Sequence, residues 1–121
     1  MSHCILIADD EPNIVISLEF LLKREGYEVR VARDGVQALD MIRSGRPDLV
    51  LLDGMMPGLS GFEVCEAVRA DAGLAGTRIV MLTAKGRETD VARGRGAGAD
   101  AYVVKPFSTR DLVEKIRGML A

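Results

Sequence analysis

Asp9, Asp10 and Glu11 stand side by side directly after the apolar run "CILIA" (4–8), so three carboxylates crowd the point where a strand should end. One like-charged pair at ~4 Å costs on the order of 4 kcal/mol at an effective dielectric near 20. Asp53 closes a second apolar run, "DLVLLD" (48–53); Thr83 closes "RIVMLT" (78–83) and Lys105 closes "AYVVK" (101–105). A hard divalent cation between Asp9, Asp10 and Asp53 would relieve the repulsion, which then acts as stored affinity for the ion. Mg2+ takes octahedral oxygen ligands, typically one or two carboxylates, several waters and a phosphate. A carboxylate held beside it can attack a phosphoryl group, because the metal neutralises charge on the transferring oxygens. Lys105 can place a point charge on one phosphoryl oxygen, and Thr83 can donate a hydrogen bond to another.

The elements that must position these groups are legible as short apolar runs alternating with longer amphipathic stretches. The fifth run is "EVRVA" (28–32), ending in Ala32 and Arg33, and reads as an outer strand. Runs this short, rich in Val, Ile and Leu, read as strands, and near-continuous apolarity fits a sheet covered on both faces. Helices are expected over 12–25, 35–44, 61–71, 87–95 and 109–120. Ile14, Val15, Leu18, Leu21 and Leu22 fall on one face of the first, with Pro12 in its first turn and Gly26 as its stop. Asp34 should cap the second, with Val36, Leu39 and Ile42 facing inward and Gly45 and Pro47 ending it. Ser60 with Glu63, and Ser108 with Asp111, form capping-box patterns. The stretch 87–95 runs into Gly94, Gly96 and Gly98, each interior glycine costing ~1 kcal/mol relative to alanine, so a short, weak helix is expected there. The spacing G-x-G-x-G with no strand immediately before it is not a nucleotide fingerprint. Strict β–α alternation implies a parallel α/β sheet, doubly wound, with ligands beyond the carboxyl ends of the strands.

The bulk properties set limits. A chain of 121 residues suits one domain, 1–121. Its net charge of −2 gives no general pull toward nucleic acid, and no apolar run approaches the ~20 residues of a membrane span. "MSHC" lacks the regions of a signal peptide. Cys4 and Cys65 read as two buried thiols in a reducing cytoplasm, and His3 as a surface residue.

With these residues in place, the chain resembles the receiver domain of the response regulators of two-component signalling, CheY-like. The resemblance runs from "ILIADDEP" through "DLVLLDGMMPGLSGFEVC" and "IVMLTAK" to "GADAYVVKPF". It implies a flavodoxin-like (βα)5 sandwich with strand order 2-1-3-4-5. It implies that Asp53 is a phosphoacceptor and that Asp9 and Asp10 hold Mg2+, or Mn2+, together with the backbone carbonyl of Met55. Thr83 matches the switch hydroxyl, Tyr102 the switch aromatic, and Lys105 the lysine that precedes Pro106 through a cis peptide. Met55 and Lys85 flank the expected phosphoryl site and would tune dephosphorylation. The implied partners are a histidine kinase or histidine phosphotransfer protein, and a downstream protein target or fused effector. No nucleic acid or membrane is expected through this domain, and a cytoplasmic location follows.

Three departures stand out. Gly54 replaces a larger apolar residue and should loosen the loop carrying Met55. Ala101 replaces a second Asp after "GAD", which weakens the charged dimer face of the 87–95 helix, 101–105 strand and 109–120 helix. The glycine-rich helix on that face is expected to be ordered by phosphorylation or a partner. The leading reading is a phosphorylation-controlled switch rather than a conventional enzyme. Two alternatives are an aspartate-dependent phosphohydrolase of the haloacid dehalogenase type, which commonly needs a second Asp where Met55 stands, and a binding module that keeps only the fold. The Met start favours an N-terminal receiver, either acting alone or cut from a longer protein.

Overall fold

A computed structural model describes residues 3–84 and 96–121. Five strands, β1 (Cys4–Ala8), β2 (Glu28–Ala32), β3 (Leu49–Asp53), β4 (Arg78–Ala84) and β5 (Ala101–Lys105), form one sheet in the order β2-β1-β3-β4-β5. Every pairing is parallel. The helices are α1 (Pro12–Arg24), α2 (Gly35–Gly45), α3 (Gly61–Ala70) and α4 (Thr109–Leu120). The helix expected over 87–95 lies outside the described residues, as does Lys85.

Side chains alternate across a strand, so β1, β3 and β4 each feed two cores. Leu6, Ala8, Val50, Leu52, Ile79 and Met81 pack against α2 and α3, through residues such as Ile42, Phe62 and Val68. Ile5, Ile7, Leu49, Leu51, Val80 and Leu82 pack against α1 and α4, through Leu18, Leu22, Leu112 and Ile116. Each of these larger side chains contributes roughly 1.5–3 kcal/mol by leaving water. Double coverage is why the central strands are apolar between their ends, β4 opening on the exposed Arg78 and polar groups returning only at the carboxyl ends.

The caps follow the sequence. Asp34 accepts the N–H of Gln37, and Ser60 and Glu63 form a reciprocal capping box. Ser108 accepts the N–H of Asp111. Gly26 ends α1 in the left-handed region, at φ +92°. Three expectations are corrected. Val36 is 52% exposed rather than inward, beside Gly58 of the loop after β3, while Ala38, Leu39 and Ile42 are the buried apolar side chains of α2. α2 runs through Gly45, and the left-handed residue that closes it is Arg46, at φ 46°. Cys65 is buried but Cys4 only half-buried, since it opens the strand beside the exposed end of β2.

Candidate functional site

Parallel order sends the ends of β1, β3, β4 and β5 to one edge, and the predicted acids meet there. Asp9 is fully buried and its Oδ1 accepts the N–H of Glu11 at 2.9 Å. Asp10 is exposed. Asp9, Asp10 and Asp53 each bring a carboxylate oxygen within 4.8 Å of the others. Lys105 reaches in from the end of β5. Its ammonium lies 3.0 Å from Asp9 Oδ2, 2.9 Å from Glu11 Oε1 and 3.5 Å from Asp53 Oδ2. Asp9 Oδ2 is thus buried against the ammonium as one half of an ion pair.

Burial, with the Asp9 charge alongside, pushes the Asp53 carboxyl up to about 6, against the opposing pull of the Met55 N–H and Lys105. Lys105 itself loses solvation, which favours its neutral form. Its bonds to Glu11 and Asp9 outweigh that loss, and its affinity for the proton rises. Asp53 Oδ1 accepts the Met55 N–H at 3.1 Å, while the Met55 side chain is 52% exposed beside the site.

Thr83 is 2% exposed, and its hydroxyl oxygen has no hydrogen-bond partner among the described residues. Leaving such a group unpaired costs about 1–3 kcal/mol. Tyr102, half-buried on β5 opposite Met81, donates its hydroxyl to the Ala99 carbonyl at 3.4 Å. The Lys105–Pro106 peptide is cis.

Two features of this edge lay beyond the sequence reading. One is the pairing of Glu11 with Lys105, residues 94 apart in the chain. The other is the seat of α3 on the Asp53 loop. Gly61 N–H donates to the Gly54 carbonyl at 3.0 Å, and a Cβ on Gly61 would collide with the Asp53 carbonyl oxygen. Gly54 does not loosen this loop. A Cβ there would stand 3.0 Å from the Phe62 ring, so the glycine admits the ring and the loop is packed.

The donor set is all hard oxygen, and three carboxylates are clustered within reach of one ion. These residues fit a hard divalent cation.

The comparisons with known proteins agree. The family model for the response regulator receiver domain matches residues 5–117. The chain belongs to that family. The receiver domain is 48% identical over 120 residues to the DNA-binding response regulator MtrA of Mycolicibacterium smegmatis, covering 99% of this chain and 51% of that protein. MtrA of Mycobacterium tuberculosis is 46% identical, with 99% and 51% covered. The chain thus spans about half the length of these curated relatives. Among solved structures it is similar to a CheY-like receiver domain protein from Methanospirillum hungatei, at 34% identity and TM-score 0.91, covering 99% of this chain and 94% of that one. It is likewise similar to the chemotaxis response regulator CheY4 of Vibrio cholerae, at 32% identity and TM-score 0.91, covering 98% and 99%. Membership makes this a signalling domain of a two-component system and implies a histidine kinase as partner. Among the described residues no helix is long and apolar enough to cross a membrane.

Proposed function

We propose that this receiver domain takes a phosphoryl group on Asp53 from a phosphohistidine of its partner and relays the change through Thr83 and Tyr102. An Asp53 oxygen forms the new O–P bond as the P–N bond to the histidine breaks, and the imidazole leaves with the electron pair of that bond. Asp9, Asp10, Asp53 and the Met55 carbonyl would hold Mg2+ or Mn2+, which when bound neutralises charge on the transferring oxygens. Lys105 compensates a phosphoryl oxygen. It is already within 3.5 Å of Asp53, and Glu11 and Asp9 keep it charged.

The observation that carries the reading is the Thr83 hydroxyl, buried at this edge without a partner among the described residues. A phosphoryl oxygen on Asp53 would supply the acceptor that the hydroxyl lacks. Thr83 would turn toward it, and Tyr102, on the neighbouring strand, would respond to the space vacated. Met55, exposed beside the site, and Lys85, two positions after Thr83 in the sequence, would set the access of water to the acyl phosphate. The hydrolase alternative is disfavoured because the position two residues after Asp53 is an exposed methionine, with no carboxylate for acid–base work.

The donor reads as a protein. The acids sit on an open edge, beside a groove of about 250 Å³ lined by Ile14, Leu18, Pro106 and Phe107. Residues 1–121 serve as a phosphorylation input in the cytoplasm, with output through a downstream protein or fused effector. DNA contact by the longer relatives is not assigned to these residues.

Acetyl phosphate with Mg2+, read by intact mass, tests the reading. Wild type should gain one Mg2+-dependent phosphoryl adduct and Asp53→Asn none. An adduct that survives Asp53→Asn would place the acceptor elsewhere. No adduct from either small-molecule or phosphohistidine donors would leave the binding-module alternative standing.

A further inference from the structure

Arg69, in the last turn of α3, works at the opposite edge of the sheet from Asp53, where the strands begin. Its Nε donates to the Gly98 carbonyl at 2.8 Å. One terminal nitrogen donates to the Thr77 carbonyl at 2.8 Å and the other to Asp100 Oδ2 at 2.7 Å. The same Asp100 oxygen accepts the N–H of Ile79 at 2.8 Å, and the Asp100 N–H donates to the Ile79 carbonyl at 2.9 Å. Gly98 lies against the arginine stem: a Cβ there would stand 2.7 Å from Arg69 Cγ, and its φ of +96° suits glycine. One residue earlier, the Ala97 carbonyl accepts the Cys65 thiol at 3.4 Å, also from α3.

Ala99 is therefore gripped through both neighbours, and its carbonyl is the acceptor of the Tyr102 hydroxyl. At 3.4 Å that bond is long for O–H···O, whose usual distance is about 2.7–2.8 Å. A bond this close to its limit is lost if the carbonyl drifts outward by a few tenths of an ångström. A planar guanidinium holding three acceptors in fixed directions prevents such drift, and a lysine could not.

We propose that Arg69 is a positioning residue for Tyr102. By fixing residues 98 and 100 it fixes the Ala99 carbonyl between them, and so sets how readily the tyrosine hydroxyl leaves its resting contact. The proposal rests on the reading of Tyr102 as the switch aromatic.

The chain has two tyrosines, Tyr27 and Tyr102, so 3-fluorotyrosine labelling gives one fluorine resonance for each. Tyr27 packs in the α1–α4 core and serves as the internal control. In unphosphorylated protein, Arg69→Met should move the Tyr102 resonance and raise the population with the hydroxyl released by about twofold, as expected for loss of a hydrogen bond at the weak end of the usual range. The Tyr27 resonance should stay in place. Arg69→Lys should behave like Arg69→Met, because charge alone does not restore the fork. If Arg69→Met does not fold, Asp100→Asn, which removes the charged arm while keeping an acceptor, should move the same resonance in the same direction. A Tyr102 resonance unchanged in the folded variants, with only a lower unfolding midpoint, would reduce Arg69 to a structural brace and overturn the proposal. Because the comparison uses unphosphorylated protein, a wild type that takes no phosphoryl group would count against Asp53 and leave the coupling of Arg69 to Tyr102 unaffected.

Discussion

At the carboxyl edge of the sheet Asp9, Asp10 and Asp53 cluster, the ammonium of Lys105 meets Asp9, Glu11 and Asp53, and a buried threonine hydroxyl finds no partner among the described residues. At the amino edge one arginine meets two carbonyls and a carboxylate, and that carboxylate also receives a backbone N–H. The same five strands support both. Polar groups that serve the fold are satisfied inside it. Polar groups left wanting a partner are paid for elsewhere and mark where a ligand is to arrive. The two edges should therefore respond to mutation with opposite sign.

The largest effect on stability is expected at Asp53. Burial raises its carboxyl from 3.8 to about 6 in the folded chain. The folded state thus binds a proton more readily than the unfolded state, and stability falls as pH rises from about 4 to about 6. Above that window the full loss is present, on the order of 3 kcal/mol. Asp53→Asn removes it, so in metal-free buffer the variant should be more stable than wild type at pH 7 and lose that advantage near pH 4. Urea unfolding at the two pH values checks this, and added Mg2+ should narrow the gap by stabilising wild type. A variant that is less stable at pH 7 would contradict the picture of a frustrated edge.

Next in size is the amino edge. Arg69→Met should destabilise by about 2 kcal/mol, because two carbonyls lose their donors and Asp100 loses its counter-charge. Urea unfolding at pH 7 should show this loss with little change between pH 6 and 8. The smallest effect concerns the element joining the edges. Gly61→Ala should cost about 1–2 kcal/mol, since the added methyl collides with the Asp53 carbonyl while helix propensity returns part of the loss. A neutral Gly61→Ala would mean that the Asp53 loop yields more easily than its packing against Phe62 implies.

The carboxyl edge was readable in the sequence because each of its groups terminates an apolar run, and parallel topology sends those termini to one place. The family resemblance added Met55, Tyr102 and Pro106, which no pattern of apolar and polar residues singles out. The amino edge was not readable. Arg69 looks like any basic residue in a last helical turn, and its three acceptors include two backbone carbonyls, which leave no trace in residue types. The one clue was Gly98, taken only as a helix weakener, whose positive φ and contact with the Arg69 stem explain it better. Val36 misled because it keeps helical spacing with Leu39 while its side chain stands exposed beside Gly58. Gly54 misled because a missing side chain looks like slack until Phe62 is seen against it.

α3 touches both edges, with Gly61 seated on the Asp53–Gly54 backbone and Arg69 set in the clamp. That makes the helix a gauge of length. One residue added between them would turn the guanidinium by about 100° and carry it ~1.5 Å along the axis, so only one of the two contacts could be kept. Change within this stretch is confined to substitution, chiefly on outward positions such as Glu66, which caps nothing and is exposed. In the loop that follows, Gly76 faces open space, so a side chain added there meets no neighbour, whereas Leu74 and Thr77 on either side of it are buried.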